Sequence, residues 1–444
     1  MIPILKINKD STIWVNSITG KDDDTKFALE ILKDGNDSFQ NLPLLTTKSH
    51  LTSADITVVD SIMAGKTREK RGDFYKDVIK PIFELLEIGK FTYFETTDKK
   101  SVEKFASNFL QKTSTDTSNG QTTVPKDRRR HIVIFLSGDT TISEFLNNLH
   151  LPSAHGIQHI DILPLPLGTA NAWSSIMSGS TQANEQNKIP QNVSYAPVIQ
   201  LFHNFLYNNL IPRHFPLYKI NLSNDKLSPK TIYMMIIFSM GFHANLLHLT
   251  TNDPKYSTMG LERFKLASEI ILEKYDLDVH LKVSKDKNKQ IVVGGFAYFA
   301  LINQSNLEPA YKPSPLSKPF EQSLQMLGYT SKLTKQQLVE AIMKGYNPDS
   351  KTIVDYYRAT DGIVYEKIAS DITIEINEKF EPDTENLKSQ ICIDGYLFDY
   401  KDLNPSATTD EREAEGKDHP YKINITNNDY PWKNIVRVFT SIKE

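Results

Sequence analysis

Cysteine is nearly absent from this chain of 444 residues, in which Cys392 is the only one. A single thiol cannot form an internal disulfide, and it cannot build a metal site that needs several thiolates. Both exclusions suit a reducing compartment, so the sequence predicts a cytoplasmic protein.

Long apolar runs are also missing. The longest, Tyr233–Phe238 and Phe296–Ile302, have the length of a β-strand and fall far short of the ~20 residues that a membrane-spanning helix needs. Any contact with a membrane is therefore expected to be peripheral.

Neither sign of charge is in excess, because the chain has 51 Lys and Arg residues and 54 Asp and Glu residues, which give a formal net charge of -3. The chain lacks the positive field typical of nucleic-acid-binding proteins, so nucleic acid is not expected as a partner. A hydrophobic fraction of 39% predicts ordinary globular folding, and the length allows roughly two or three domains. No oligomeric state is indicated.

Two strand-to-helix junctions dominate the first half of the chain. The apolar run Ile132–Leu136 stops at Ser137–Asp139, and helical spacing of apolar residues begins directly afterwards. A second apolar run, Ile160–Leu167, stops in the same way at Gly168–Asn171. Small residues at the carboxyl ends of parallel strands let backbone amides approach an anion such as phosphate. The pair predicts a phosphate site, with ordinary structural turns as the alternative.

The same alternation of strand and helix precedes these junctions. Ile56–Val59 predicts a short strand, a turn containing Gly65 follows it, and apolar residues at helical spacing predict a helix over Phe74–Leu86. A strand at Phe91–Phe94 and a helix cap at Thr96–Asp98 continue the pattern. This βαβα order predicts an α/β domain.

The pattern changes after Pro212–Pro216, which marks a domain boundary. Strand patterns then dominate, with helical patterns at Leu261–Glu273 and Thr334–Lys344. The strand candidates are Leu217–Leu222, Thr231–Phe238, Leu277–Val283, Gln290–Ile302, Val354–Tyr357, Ile363–Lys367, Ile372–Ile376, Ser389–Ile393 and Tyr421–Ile425. We therefore assign residues 1–50 to an N-terminal extension of edge strands, 51–213 to an α/β domain and 214–444 to a β-rich domain.

Two basic runs, Lys66–Arg71 and Arg128–Arg130, accompany the predicted strands. Contact with phosphate or anionic lipid is one interpretation of each run. Solvated ends of structural elements are the more common outcome.

The order of these motifs resembles the diacylglycerol kinase catalytic family, which includes sphingosine, ceramide and bacterial lipid kinases and is related to the NAD kinases. Gly65-Lys66 matches the end of the first family motif, and Ser137–Asp139 matches the start of the Gly-Gly-Asp-Gly motif. Pro166–Asn171 matches Pro-x-Gly-Thr-Gly-Asn, with Ala170 in place of the second Gly.

The second half adds three further similarities, at Ser239–Asn245, at Lys255–Phe264 and at Ile393–Tyr396, where the family has Asp-Gly-Glu. The resemblance covers about residues 55–435. It implies a Rossmann-like α/β domain of the NAD-kinase and lipid-kinase type, which binds nucleotide, followed by a β-rich, sandwich-like domain.

The activity that this resemblance implies is ATP-dependent phosphorylation of a lipid hydroxyl, with Mg²⁺ as the accompanying ion. Asp139 would be the base that orients the hydroxyl, and Asp394 is the second candidate, either as base or through water to Mg²⁺. No residue is assigned as a direct metal ligand. The implied nucleotide contacts are Gly65, Lys66, Thr97, Ser137, Gly138, Thr140, Glu144, Gly168, Thr169, Asn171, Arg263 and Gly395.

The lipid acceptor follows from the same resemblance. His243 and Asn245 are the implied substrate contacts, with His243 where the family usually has an acid. The segment Tyr256–Phe264 looks like sphingosine kinases and favours a sphingoid base. A sphingoid amine would pair with a carboxylate, which neither position supplies, so diacylglycerol or another lipid alcohol stays open.

Four residues depart from the family pattern. Thr140 replaces a glycine, and a β-branched residue would be strained if that position has positive φ. Asp60 puts a carboxylate where the family has a neutral amide, and it would repel phosphate. Together with His243 and Tyr396, these departures make a catalytically inactive lipid- or nucleotide-binding relative the alternative.

Overall fold

The computed structural model divides the chain into two compact units. The first contains Met1–His214 together with Asn434–Glu444, and the second contains Phe215–Lys433. The residues that the structure describes are 1–19, 25–33, 42–65, 68–89, 91–109, 129–150, 157–177, 195–222, 230–256, 259, 262–274, 277–286, 289–376, 387–400, 403, 421–427 and 431–442.

The first unit begins with three strands and continues with alternating strands and helices. Its elements are β1 (Ile2–Asn8), β2 (Ser11–Thr19), β3 (Thr25–Lys33), α1 (Ser49–Thr52), β4 (Ala54–Asp60), α2 (Arg68–Arg71), a π-helical turn (Tyr75–Ile79), α3 (Lys80–Leu85), β5 (Phe91–Glu95), α4 (Ser101–Phe109), β6 (Arg129–Ser137), α5 (Asp139–Asn147), β7 (Ile157–Pro166), α6 (Ala172–Met177), α7 (Ala196–Leu206) and β8 (Ile211–Arg213).

The second unit is mainly strands, and the chain then ends with one more strand of the first unit. The elements are β9 (Tyr218–Asn221), β10 (Thr231–Met234), β11 (Ile237–Gly241), α8 (Phe242–Asn252), α9 (Glu262–Lys274), β12 (Val279–Lys285), β13 (Lys289–Ile302), β14 (Leu324–Thr330), α10 (Lys335–Lys344), α11 (Ser350–Ala359), β15 (Ile363–Ile368), β16 (Ile372–Ile376), β17 (Gln390–Ile393), β18 (Tyr396–Asp399), β19 (Tyr421–Asn427) and finally β20 (Val436–Thr440).

The main sheet of the first unit has the strand order β5-β4-β6-β7-β20-β8. All neighbours pair in parallel except β20 and β8, which are antiparallel. Strands in a parallel sheet are covered on both faces, which explains why Ile132–Leu136 of β6 are all apolar and fully buried. The predicted α/β fold is confirmed.

Two expected boundaries differ from the structure. The strands of residues 1–50 are not edge strands of a larger sheet, because β1, β2 and β3 form an antiparallel sheet of their own. Its inner face joins the apolar core of the unit, where the ring of Phe27 packs edge-on against Phe74. The chain end also leaves the β-rich domain, because buried apolar residues of β20 complete the parallel sheet beside β7.

The second unit is built on one large antiparallel sheet, as expected for a β-rich domain. Its main path is β10-β9-β19-β16-β12-β13-β11-β17-β18, and the long strand β13 also carries β14 and β15. The strand expected at Val354–Tyr357 is wrong, because these residues lie in α11. The side chain of Asp349 caps that helix, and Ile353, Val354 and Tyr357 are buried at helical spacing.

No helix in the described ranges is long and apolar enough to cross a membrane.

Candidate functional site

Three glycines bring together the loops that follow β4, β6 and β7, at the carboxyl ends of neighbouring parallel strands. A β-carbon on Gly168 would lie 2.3 Å from the Cα of Gly138, and one on Gly65 would lie 2.6 Å from the carbonyl oxygen of Leu167. Gly65 also has a φ of +64°, which L side chains rarely adopt. Backbone therefore packs directly on backbone here, at positions where a β-carbon would not fit.

Asn171 closes the loop after β7. Its Oδ1 accepts the N–H of Gly168 at 2.9 Å, and its Nδ2 donates to the carbonyl oxygen of Gly168 at 2.7 Å. Asn171 itself has a φ of 54°, a conformation that asparagine tolerates better than most residues. The two bonds fix the loop in one shape, so its backbone is preorganised.

Asp139 connects the β6 loop to the helix that follows β7. Its carboxylate accepts the N–H groups of Ala172 at 2.6 Å and Trp173 at 3.1 Å, and so caps α6. The residue keeps some exposed surface, but protein surrounds the carboxyl group itself, and this burial raises the pKa of Asp139 to about 6. The two N–H donors favour the ionised form and limit the increase.

Helix α5 begins at the same place and has no side-chain cap. The N–H groups of its first turn lack intrahelical acceptors, as at every helix start, and the helix dipole is positive there. Because Asp139 caps α6 and not α5, this N-terminus stays open to an anion.

Thr140 is not strained. It is the second residue of α5, it is exposed, and its φ is not positive. The concern raised by a β-branched residue at this position therefore does not apply to the backbone. The hydroxyl groups of Thr140 and Thr169 have no hydrogen-bond partner among the described residues, so both can donate to a ligand.

Ser137 has a structural place at the end of β6. It is buried, and its hydroxyl donates to the carbonyl oxygen of Gly138 at 3.1 Å. Its own carbonyl oxygen accepts the N–H groups of Leu167 and Gly168, both at 3.2 Å. These bonds hold the β6 and β7 loops together.

Other predicted nucleotide contacts of this unit have partners in the neighbouring helices. The N–H of Thr97 is bound by the hydroxyl of Ser101 at 3.0 Å, at the start of α4. Glu144 lies half-buried on α5 and faces Glu103 of α4, and burial raises its pKa. Lys66 lies outside the described residues.

Asp60, at the end of β4, is fully buried and neutralised. Arg71 Nη2 donates to its Oδ1 at 2.7 Å, and Arg68 Nη2 donates to its Oδ2 at 2.8 Å. The hydroxyl of Tyr93 adds a bond of 3.1 Å. Asp60 thus offers no free negative charge that would repel a phosphate. The interpretation of Lys66–Arg71 as a solvated end is wrong for Arg71, whose side chain is 2% exposed.

Both predicted substrate contacts lie on α8 of the second unit. His243 Nδ1 is 2.7 Å from the hydroxyl of Ser239, and burial lowers the pKa of His243 to about 4, so the ring is neutral at pH 7. Asn245 is 1% exposed, and its Nδ2 donates to the carbonyl oxygen of Leu387 and to Gln390 Oε1. Asn245 therefore fastens α8 to β17, and neither residue carries a charge.

Arg263 on α9 has no acidic partner among the residues that the structure describes. Its guanidinium lies over the ring of Phe264 at 4.8 Å, its Nε is buried without a hydrogen bond, and burial lowers its pKa. An arginine in this state is stabilised by an incoming anion. The expectation that Arg263 binds a phosphate stays a prediction that this environment favours.

Asp394 and Gly395 form the two-residue turn between β17 and β18. Both have positive φ, 49° and 90°, as in a type I′ turn. The Asp394 carboxylate is 4% exposed and accepts the N–H groups of Met235, Ile236 and Ile237 at 2.6, 2.9 and 2.8 Å. These contacts favour a structural role for both residues, and they lend no support to Asp394 as a base.

The structure thus brings one part of the predicted site together in the first unit, namely Gly65, Ser137, Gly138, Asp139, Thr140, Gly168, Thr169 and Asn171. Among the residues that the structure describes, no group of three or more His, Cys, Asp and Glu side chains could hold a metal ion.

Comparison with known proteins reveals similarity only at the level of structure. No family model matches the sequence, and no curated protein matches it significantly. Among solved structures, "a putative diacylglycerol kinase" from Bacillus anthracis str. Sterne superposes with a TM-score of 0.53 and 16% identity, over 90% of this chain and 98% of that one.

Two further structures are less similar. A diacylglycerol kinase from the same organism has a TM-score of 0.48 and 14% identity, over 87% of this chain and 96% of that one. Yeast NADH kinase in complex with NADH has a TM-score of 0.42 and 10% identity, over 98% of this chain and 91% of that one. The superposition on the first structure shows that the chain has a diacylglycerol-kinase-like fold, as the motifs predicted.

Proposed function

We propose that this protein transfers the terminal phosphoryl group of ATP to a hydroxyl group of a lipid. The observation that carries the proposal is the junction of Gly65, Gly138 and Gly168 beside the uncapped start of α5. Bare backbone amides at a helix N-terminus are a common way to bind phosphate. The diacylglycerol-kinase-like fold of the whole chain supports the same assignment.

The nucleotide phosphates would lie against the three glycine loops. There they meet the N–H groups of α5 and the free hydroxyls of Thr140 and Thr169, while Asn171 holds its loop in place. Mg²⁺, which in such reactions neutralises phosphate charge, is usually bound by phosphate oxygens and only one or two carboxylates.

Asp139 is our candidate for the group that accepts the proton of the lipid hydroxyl. Each of its two oxygens receives one N–H bond, which leaves each with capacity for a further bond. A pKa of about 6 makes the carboxylate ionised at pH 7 yet more basic than an ordinary aspartate.

For the acceptor we propose an uncharged lipid alcohol over a sphingoid base. The positions where a carboxylate would meet the sphingoid amine hold a neutral His243 and a buried Asn245. A protonated amine placed there would lose its hydration without gaining an ion pair. The sphingoid base that the segment Tyr256–Phe264 favours remains the alternative acceptor.

The experiment is a phosphorylation assay with purified full-length protein, labelled ATP and a panel of diacylglycerol, monoacylglycerol, ceramide and sphingosine in mixed micelles. Asp139→Asn is compared with Asp349→Asn. Asp349 caps α11 through two backbone N–H groups in the same manner, so the pair matches in chemistry and differs in location. We expect product with wild type and Asp349→Asn, and a loss of roughly 100-fold or more with Asp139→Asn.

A nucleotide-binding protein without catalysis is the second candidate. It is favoured by the observation that both oxygens of Asp139 already bind the start of α6. ATP binding without product from any lipid would select this candidate. Wild-type activity that Asp139→Asn leaves intact would remove Asp139 from the mechanism.

A further inference from the structure

A basic cluster lies at the amino-terminal ends of the parallel strands, at the edge of the sheet opposite the glycine loops. Arg130 of β6 pairs with His159 of β7, and Asp161 of β7 pairs with Arg437 of β20. His214, which follows β8, places its ring 6.0 Å from that of His159. We call Arg130, His159, Asp161, His214 and Arg437 the amino-end cluster.

Asp161 organises the two arginines. Its carboxylate is completely buried, and Arg437 donates to it through Nε at 2.7 Å and Nη2 at 2.9 Å. Arg130 donates to it through Nε. Each guanidinium is therefore held by its Nε side, and the Arg130 guanidinium also lies 5.4 Å from the centre of the Phe439 ring.

The outer donors of both arginines remain unused. Nη1 and Nη2 of Arg130 and Nη1 of Arg437 form no hydrogen bond with any residue that the structure describes, and the side chains are 23% and 18% exposed. Nδ1 of His159 is buried and has no partner. Two guanidinium groups oppose one carboxylate, so the cluster carries a net positive charge even with both histidines neutral.

A single arginine would satisfy Asp161, because Arg437 alone makes a bidentate contact with it. The second guanidinium shares the same carboxylate, so one partly buried positive charge is not balanced within the cluster, which is costly unless an anion joins it. Guanidinium groups with free, fixed N–H donors match the oxygens of a phosphate in geometry and charge.

We propose that the amino-end cluster binds a phosphate dianion or phosphomonoester, with Arg130 and Arg437 as its ligands and His159 beside them. This site is separate from the glycine loops. A lipid headgroup and a free phosphate share this chemistry, and the experiment has one arm for each source.

The first arm titrates full-length protein with inorganic phosphate at constant ionic strength and follows thermal unfolding, with chloride as the reference anion. The second arm measures co-sedimentation with phosphatidylcholine vesicles that contain phosphatidic acid. Hydrogen exchange in the presence of phosphate separates the sites, because this one should protect the first residues of β6, β7 and β20 and not the loops at Gly138 and Gly168.

Arg130→Gln is the main variant, since it removes two unused donors and leaves Asp161 its bidentate contact with Arg437. Lys80→Gln on α3 controls for the loss of one positive charge, because Lys80 is half-exposed and makes only a long ion pair of 3.9 Å with Glu84. We expect affinity to fall about tenfold or more in Arg130→Gln and to be unchanged in Lys80→Gln. If Arg130→Gln does not fold, His159→Gln and the exchange pattern of the wild type provide the same test.

Response to soluble phosphate identifies a free phosphate source, and response to vesicles alone identifies a lipid headgroup. Both results support the proposal. It is overturned if the wild type shows no saturable response in either arm, or if a folded Arg130→Gln binds as tightly as the wild type.

Discussion

Gly168 packs against Gly138 so closely that a β-carbon on Gly168 would lie 2.3 Å from the Cα of Gly138 and 2.8 Å from its nitrogen. Both obstacles are backbone atoms, which cannot move aside as a flexible side chain can. The contact joins the loops after β6 and β7 at the edge of the sheet where ligands of α/β proteins bind.

Gly168→Ala should lower the free energy of unfolding by about 1–3 kcal/mol, because the new methyl group forces the two loops apart. Gly89→Ala is the matched control, since a β-carbon there meets no atom within 4 Å and its φ is not positive. Urea unfolding of both variants measures the difference. Equal stability of the two would show that the loops are not held at the distance seen here.

Activity should depend on the ionisation of Asp139. Below pH about 6 its carboxyl group is protonated and cannot accept a proton, so kcat/KM should fall about tenfold per pH unit below that value and level off above it. A pH profile of the wild type measures this. Residual activity of Asp139→Asn should lack the acidic limb, and a limb that persists in the variant would assign it to another group.

The same pKa predicts a pH dependence of stability. Because the pKa of Asp139 in the folded chain, about 6, exceeds that of an aspartate in an unfolded chain, the folded state binds the proton more tightly. The stabilisation from this proton is complete below pH about 4 and is lost as the pH rises through about 6. The free energy of unfolding of the wild type should therefore fall relative to that of Asp139→Asn across that interval. A difference between the two free energies that does not change with pH would contradict the raised pKa.

Asp394 should matter for folding and not for the chemical step. Asp394→Ala leaves three N–H groups at the bend between β10 and β11 without their acceptor, which should cost about 3 kcal/mol or more. Asp355→Ala, on the exposed side of α11, should change stability by about 0.5 kcal/mol or less. The molecules of Asp394→Asn that remain folded should keep the turnover of the wild type. If Asp394→Asn folds but has no activity, Asp394 becomes a candidate base again.

Asp60 should contribute to stability without opposing the nucleotide. Asp60→Asn leaves the buried Arg71 without its carboxylate and removes one of the carboxylates that Arg68 contacts, which should cost about 3–5 kcal/mol. Glu95→Gln removes only the more exposed partner of Arg68 and should cost less than about 1 kcal/mol. Chemical denaturation compares the two, and ATP affinity should not improve in Asp60→Asn. Tighter ATP binding by that variant would show that Asp60 does repel phosphate.

The glycine junction could be predicted from the sequence because its signal is local. An apolar strand, a glycine and a helical pattern follow one another at Ile132–Leu136 and again at Ile160–Leu167. The contact of Asp139 with Ala172 and Trp173 could not be predicted from the sequence, because it joins residues 33 and 34 positions apart and depends on how the strands pair. The ion pair between Asp60 and Arg71 was missed for the same reason. In the sequence Arg71 belongs to a basic run typical of a solvated end, and only the structure shows that it is buried.

Two misassignments did have local signals. Asp394-Gly395 is a dipeptide typical of a type I′ hairpin turn. A structural turn was therefore an alternative to a catalytic role for these two residues. Val354–Tyr357 is a short apolar run that suits either a strand or a helix, and Asp349 five residues earlier is a helix cap that decides between them. The separate sheet of β1–β3 had no comparable signal, because sheet membership depends on pairing partners that local patterns do not specify.

Calorimetric titration of ATP into wild type, Gly168→Ala and Gly89→Ala tests whether the three glycine loops bind the phosphates of ATP. We predict saturable binding by wild type and Gly89→Ala, and a loss of about tenfold or more in folded Gly168→Ala, because displaced amides no longer reach the phosphates. Absence of ATP binding by the wild type, or unchanged affinity in Gly168→Ala, would contradict the account.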